Sequence, residues 1–437
     1  MTSRREFLKI AAGAATAAAG LSARSYARVQ GANERVNVAI IGLHGRGYAH
    51  LDSVRAHPHG AVTHIADVDS IELGKFAAAV KQKDGRAPVA ERDFRRLLDS
   101  KDVDAVTIAT PEHWHAPMAI LALKAGKHVY VEKPCSHNPH EGELLVAAQK
   151  KYGGLVQMGS QQRSSPHTIG IVKRIHEGLI GRPYLGRTWY SNTRGSIGVG
   201  KHVPVPATLD WDLWQGPAPR REYHDNVHPY NWHWFWHWGT GETLNNGTHE
   251  VDVCRWALQV GLPEKVTASG GRYHYKDDWE FYDTLETAFE YDGKMITWEG
   301  LSCQGKEFFN RSRGSTIHGT NGTVLIDRDG YQVFNLDNKV IDQFAVGSSS
   351  TTHDLVSADS MTDAHFANFI DAIRTGESLH APIAEGNVSV TMLQLSNIAW
   401  KVGRTLRLDA PGGHILGDPE AAALWSRSYE PGWEPTL

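Results

Sequence analysis

Cysteine is scarce in this chain: Cys135, Cys254 and Cys303 are the three in 437 residues. They are far apart, odd in number and without metal-ligand spacing, so neither a disulfide framework nor a zinc ribbon follows. Ordinary buried thiols are expected. An excess of basic charge is also missing, since 45 Lys and Arg stand against 49 Asp and Glu for a net charge of -4. That balance excludes an electrostatic case for a nucleic-acid partner and favours a small ligand. No internal repeat is visible. The longest weakly apolar run, Ile10 to Leu21, is too short to cross about 30 Å of hydrocarbon, which takes roughly 20 residues. With 41% hydrophobic and 22% charged residues the chain is expected to fold, and its length implies at least two domains.

That Ala/Gly run follows a paired Arg4-Arg5 with Phe7 and Leu8 behind it, and Ser25-Tyr26-Ala27 places small residues where a signal peptidase reads. The segment 1–27 resembles a twin-arginine export signal. The mature protein is then expected to begin near Arg28, to be periplasmic or otherwise exported already folded, and to keep no membrane anchor.

From Val36, VNVAIIG is a continuous apolar stretch of the kind a parallel strand buried on both faces requires. It ends in Gly42-Leu43-His44-Gly45-Arg46-Gly47 and re-enters as a helix. Such a turn aims backbone N–H groups and a helix N-terminus at an anion, which suits a pyrophosphate. The middle glycine of G-x-G-x-x-G is replaced by His44, with Gly45 beside it. Asp67 closes the next strand, Val62 to Ala66, at about the offset where a carboxylate meets a ribose 2′-OH; an acid there favours NAD over NADP. Short strand and helix patterns then alternate through Asp104–Thr110, Pro117–Ala125 and His128–Pro134. The expectation is an open parallel sheet of Rossmann type over 28–155, with ligands beyond the carboxyl ends of its strands. Thr110, Pro111, His115, Glu132, Lys133 and Pro134 all fall there.

The segment ATPEHWHAPMAILALKAGKHVYVEKP, with the glycine turn and Asp67 before it, resembles the glucose-fructose oxidoreductase, inositol dehydrogenase and rhizopine catabolism (Gfo/Idh/MocA) family. The T-P-x-x-x-H and E-K-P pair is more specific than the glycines. The resemblance implies that Lys133 lies beside a nicotinamide and a substrate hydroxyl, that Thr110, Pro111 and His115 line the cofactor, and that Glu132 helps hold the lysine. The chemistry asks for such a lysine independently: a carbinol losing hydride needs a proton acceptor and a cationic donor for its oxygen, and a partly desolvated amine serves both.

Residues 156–437 read as a second, α+β domain with a largely antiparallel open sheet. TLETAFEY and KMITWEG alternate as half-buried strands joined by Asp292-Gly293 as a hairpin turn, and helical patterns cover Ala364–Arg374 and Asn387–Lys401. In Asn231–Asp252 four tryptophans, Trp232, Trp234, Trp236 and Trp238, alternate with His233, Phe235 and His237. Read as extended chain, the tryptophans share one face. Indole faces stack on sugar C–H faces and histidines bond to hydroxyls, so Trp232, His233, Trp236 and His237 are candidate substrate contacts; packing of the interdomain core is the alternative.

The family resemblance implies a D-x-x-x-H pair on one helix here. His249 matches the histidine, while Asn245 stands where the aspartate would, with Glu242 as a nearby substitute carboxylate. An amide cannot act as a base, so Asn245 is expected to orient a hydroxyl and His249, with Lys133, to take the proton. Gln161 and Arg163 match a region that contacts substrate in relatives. His233 and His237 lie four apart without the zincin glutamate, so no metal is assigned. The resemblance further implies a carbohydrate substrate, tightly held NAD, and homo-oligomers formed through the second sheet. Two activities follow from it: hydride transfer to or from a sugar, glycoside or polyol, with glycoside C3 as one candidate carbon, or NAD-assisted glycoside hydrolysis by transient oxidation and elimination. Relatives with the second activity lack E-K-P.

Overall fold

A computed structural model describes residues 35–346, 359–409 and 412–437; the leader-like segment lies outside them. The strand and helix alternation of the first domain is present as expected. Strands β1 (Val36–Ile41), β2 (Gly60–Ala66), β3 (Val89–Glu91), β4 (Ala105–Ile108), β5 (His128–Val131) and β6 (Val156–Met158) form one sheet in the order β3-β2-β1-β4-β5-β6. Each neighbouring pair is parallel. Strand β4 is buried at every residue, because helices cover both faces of a sheet connected this way. The order turns back at β1 and β4, and ligands bind beyond the strand ends at such a point.

The helical cover of this domain is completed from far along the chain. Phe366, Phe369 and Ile370, on the helix Ser360–Thr375, join Val38, Ile40, Val54 and Tyr130 in one buried cluster. Phe366 stacks on Tyr130 with ring centroids 4.2 Å apart. Each such side chain contributes roughly 1.5–3 kcal/mol when fully buried, so the core of the first domain depends on residues well beyond 156.

The second sheet contains β7 (Pro183–Ser191), β8 (Lys265–Gly271), β9 (Thr284–Tyr291), β10 (Lys294–Leu301), β11 (Arg313–Gly319), β12 (Gly322–Ile326), β13 (Gly330–Phe334), β14 (Val340–Ala345) and β15 (Leu406–Arg407). Their order is β14-β13-β12-β11-β7-β10-β9-β8-β15, antiparallel except between β7 and β10. Strands β9 and β10 meet at Asp292-Gly293, where Gly293 takes φ 66°, the left-handed turn conformation that glycine adopts without cost. One face of the sheet is covered by the helices Gly247–Leu258 and Ile383–Val402. No helix of the described residues is long and apolar enough to cross a membrane.

The tryptophan segment is not extended. Asn231–Trp234 is a single 3-10 turn, and Phe235 and Trp238 donate N–H bonds back to Trp232 and Phe235. Closing bonds of that span abolish the period of two. Trp232 and His233 therefore stack on each other at 3.5 Å rather than facing apart, Trp234 stacks on Trp279 and Trp236 on Phe281.

Candidate functional site

A cleft of about 1750 Å³, a volume that includes space open to solvent, runs from the ends of β1, β2 and β4 to the second sheet. Its near end is the glycine turn. Gly42 has φ 86°, and a Cβ on it would lie 2.6 Å from the Ala109 oxygen. A Cβ on Gly47 would lie 2.4 Å from the Gly42 oxygen. Both positions need glycine for close approach, which lets the helix Arg46–Ala56 start against the strand ends. Gly42, His44, Gly45 and Arg46 line the cleft, whereas Gly47 acts beneath them as the packing contact. Asp67 accepts N–H bonds from Leu43 (2.8 Å) and Asp69 (2.9 Å), one on each carboxylate oxygen. Each oxygen keeps a lone pair for a diol. Burial pushes the Asp67 carboxyl up to about 6, against the two N–H bonds. A glycine-bearing turn at a helix N-terminus and a carboxylate at the end of β2 fit a dinucleotide.

At the centre Glu132 is buried and heavily bonded. It accepts from Arg46 Nε (2.9 Å) and Gln161 Nε2 (3.3 Å) and lies 3.1 Å from His50 Nε2. Burial would raise its pKa, but Arg46, His50 and Lys133 outweigh burial and hold it well below the usual range. Next to it Lys133 enters the cleft over a cis peptide to Pro134. Its Nζ donates to the Asn245 main-chain oxygen (2.7 Å) and to Asn245 Oδ1 (3.2 Å). Burial lowers the lysine pKa, and Glu132 and Glu112 partly offset that. The His115 ring sits between the main-chain oxygens of Pro134 (2.6 Å) and Thr110 (2.8 Å), tying the T-P turn to the E-K-P turn. A neutral ring donates to one of them at a time.

Lys133, Asn245 and His249 line the same cleft. The helix expected to carry the last two is broken: Gly241–Asn245 ends, Asn246 takes φ -117°, and Gly247–Leu258 begins. Gly247 rides against Trp298, whose indole would be 3.1 Å from a Cβ there. Burial pushes His249 well below its ordinary pKa, and Arg328, Lys133 and Arg313 add to the effect, so its ring is neutral. Glu112, which the sequence reading passed over, also lines the cleft; burial pushes its carboxyl up to about 7 while Thr240 Oγ1 donates to it and Lys133 faces it. Its position two residues after Thr110 was the available signal. Arg313 and Arg328 carried none.

Of the expected substrate contacts, Trp232 and His233 line the cleft. Trp236 and His237 do not; they face a second cavity with Lys401 and Arg427, because the 3-10 turn swings them away, and His237 Nε2 is held 2.7 Å from the Pro219 oxygen. Gln161 lies under Glu132 and donates to Tyr130 Oη at 3.0 Å. Arg163 is buried in a bidentate pair with Asp252, at 2.6 and 2.9 Å. Glu242 is no substitute base: Arg194 donates to both its oxygens and Asn246 to one, which leaves it outside the lining of the cleft. Among the described residues no three or more His, Cys, Asp or Glu side chains are placed to hold a metal ion.

Two family models match this chain: the Gfo/Idh/MocA oxidoreductase family, NAD-binding Rossmann fold, over residues 36–160, and the C-terminal alpha/beta domain of the same family over 171–435. A glycosyl hydrolase family 109 protein of Saccharopolyspora erythraea is 34% identical over 164 residues, covering 36% of each chain. An inositol 2-dehydrogenase of Rubrobacter xylanophilus is 32% identical over 184 residues, 41% of this chain and 51% of that one. The chain thus spans from about a third to a half of the length of these relatives. The solved structure of a levoglucosan dehydrogenase in complex with NADH and levoglucosan superposes with a TM-score of 0.66 at 21% identity, over 85% of this chain and 99% of the other, a likeness of fold.

Proposed function

We propose that this chain, which belongs to the Gfo/Idh/MocA oxidoreductase family, moves a hydride between a carbinol carbon of a sugar, glycoside or polyol and a tightly held NAD. The observation that carries the reading is one cleft with a dinucleotide cradle at its near end and the Lys133 ammonium and His249 imidazole at its far end. When bound, the dinucleotide supplies reversible hydride acceptance. The chain supplies the proton chemistry. Lys133, with its pKa lowered by burial, takes the hydroxyl proton as the free amine and as the ammonium steadies the oxygen in the reverse direction. His249 is too weak a base for that task and orients the hydroxyl as a neutral ring. The Asn245 oxygens aim the lysine, and Trp232 with His233 forms the sugar-facing wall.

The leader-like sequence supports export of a folded protein with its cofactor inside, recycled by a second substrate. Glycoside C3 is the first position to test for oxidation. The similarity to a glycosyl hydrolase family 109 protein keeps NAD-assisted hydrolysis as a second reading. Incubating NAD-loaded protein with aryl glycosides and no added acceptor separates the two. Ketosugar without aglycone supports the dehydrogenase; released aglycone supports the hydrolase. Protein that retains no nicotinamide by mass spectrometry and binds none when it is added sinks both, and Lys133→Met should abolish turnover while keeping the cofactor.

A further inference from the structure

Five cations line the cleft, and four of them are engaged, Arg92 by donating to the main-chain oxygens of Val68 and Thr208 at 3.2 and 3.3 Å. Arg46 is paired with Glu132 at 2.9 Å, Arg313 with Glu250 at 2.7 and 2.9 Å, and Lys133 donates to the Asn245 oxygens opposite Glu112. Arg328 is the exception. Among the described residues it makes no hydrogen bond or ion pair, and its Nε is buried without a partner. Its chain neighbours do not neutralise it: Asp327 is taken up by Arg311 and by the amides of Asp329 and Gly330, which close the turn between β12 and β13, and Asp329 is exposed. Burial first, then the field of Arg313, pushes the guanidinium down to about 9, and the more distant fields of Glu250 and Asp359 offset this only in part. Arg328 lines the same cleft as Lys133 and His249, and after burial its charge is the one that most strongly lowers the His249 pKa.

We infer that Arg328 docks a carboxylate carried by the substrate, which makes the preferred substrate an acidic sugar such as a glycuronide. A planar guanidinium with free donors matches a carboxylate bidentately. A neutral sugar would leave the partly buried guanidinium without a direct partner, whereas an acidic one supplies a carboxylate to pair with it. The pyrophosphate is the other anion to consider, but its cradle is the glycine turn of the first sheet, whereas Arg328 sits on the turn between β12 and β13 and feels Arg313 more strongly than Arg46. This inference rests on the oxidoreductase reading for the identity of the cleft, and its test is made on binding so that the two can fail separately.

The experiment is calorimetric titration of NADH-loaded protein with the methyl α- and β-D-glucuronides and the matching methyl glucosides, for the native chain, Arg328→Gln and Arg328→Lys. The native chain should prefer a glucuronide by at least about tenfold, the scale of a charge-assisted hydrogen bond. Arg328→Gln should lose that preference while keeping its NADH affinity and glucoside affinity, and Arg328→Lys should restore part of it. Because the variant removes an uncompensated charge, its melting temperature should hold or rise; a merely structural arginine would lower it. Equal native affinities for acidic and neutral glycosides overturn the inference, and so does a loss confined to NADH affinity. Absence of turnover with every sugar, alongside a glucuronide preference that depends on Arg328, would sink the dehydrogenase and keep the anion site.

Discussion

The Lys133 Nζ reaches across the two domains to donate to both oxygens of Asn245, at 2.7 Å to the main chain and 3.2 Å to the side chain. The position a family aspartate would occupy is thus an amide that aims the amine without neutralising it. Asn245→Asp would place a carboxylate against the ammonium and raise its pKa by about 1–3 units. Sugar oxidation needs the free amine, so the rising limb of kcat/KM against pH should move to higher pH by that amount, and reduction of the ketosugar should persist to higher pH. An unmoved limb would show that Lys133 is not the titrating group.

Glu112 titrates at about 7 in the folded protein against an ordinary 4.5, chiefly because it is buried. An acid with a raised pKa binds its proton more tightly folded than unfolded, so stability falls as pH rises from about 4.5 to 7 and the penalty is complete above that. Glu112→Gln keeps a carbonyl for the Thr240 hydroxyl and has nothing to ionise. The variant should match the native chain near pH 4 and exceed it near pH 8, by about 3 kcal/mol at most. Urea melts at the two pH values measure this, and an equal difference at both would refute the assignment.

What could be read from the sequence was what is local. Asp67 and the Gly42–Gly47 turn were legible because strand, turn and offset lie in one unit, and Lys133 because its motif closes a buried strand. Gln161 and Arg163 were placed in the right loop with the wrong orientation, since spacing does not tell which way a 3-10 turn aims its side chains; one lies under Glu132 and the other is paired with Asp252. Trp236 and His237 failed for the same reason, the turn at Asn231–Trp234 having replaced an assumed extended strand. Arg328, between two aspartates at a hairpin tip, has the composition of a solvated turn. Only the tertiary placement of the turn between β12 and β13 carries it into the cleft.

Cofactor choice should itself depend on pH. Asp67 carries its charge only above about 6, and that charge is what repels a 2′-phosphate. The ratio of NADP to NAD dissociation constants should therefore grow between pH 5 and pH 8, and Asp67→Asn should flatten the trend and bring the two affinities closer together. Titration of the apoprotein with each reduced cofactor, followed by nicotinamide fluorescence, gives both constants. A ratio independent of pH in the native chain, or unchanged in the variant, would mean that discrimination resides elsewhere.

The buried pair of Arg163 and Asp252 offers the sharpest separation between structure and chemistry. Both Asp252 oxygens accept from the guanidinium, Ser389 Oγ adds a bond at 2.6 Å, and Arg163 also packs against the Trp256 ring at 5.3 Å. Asp252 is buried, yet Arg163 holds its pKa below the ordinary value, so the carboxylate is charged at neutral pH. Arg163→Ala leaves that charge without its main partner and should cost about 3–5 kcal/mol, read as a large fall in melting temperature. Arg163→Ala/Asp252→Ala removes both charges and should recover part of the loss. Neither change touches the lining of the cleft, so the KM of the folded fraction should stay within about twofold of native, a shift of under 0.5 kcal/mol. A KM that rose tenfold with stability intact would return Arg163 to the substrate, where its sequence neighbourhood had first suggested it.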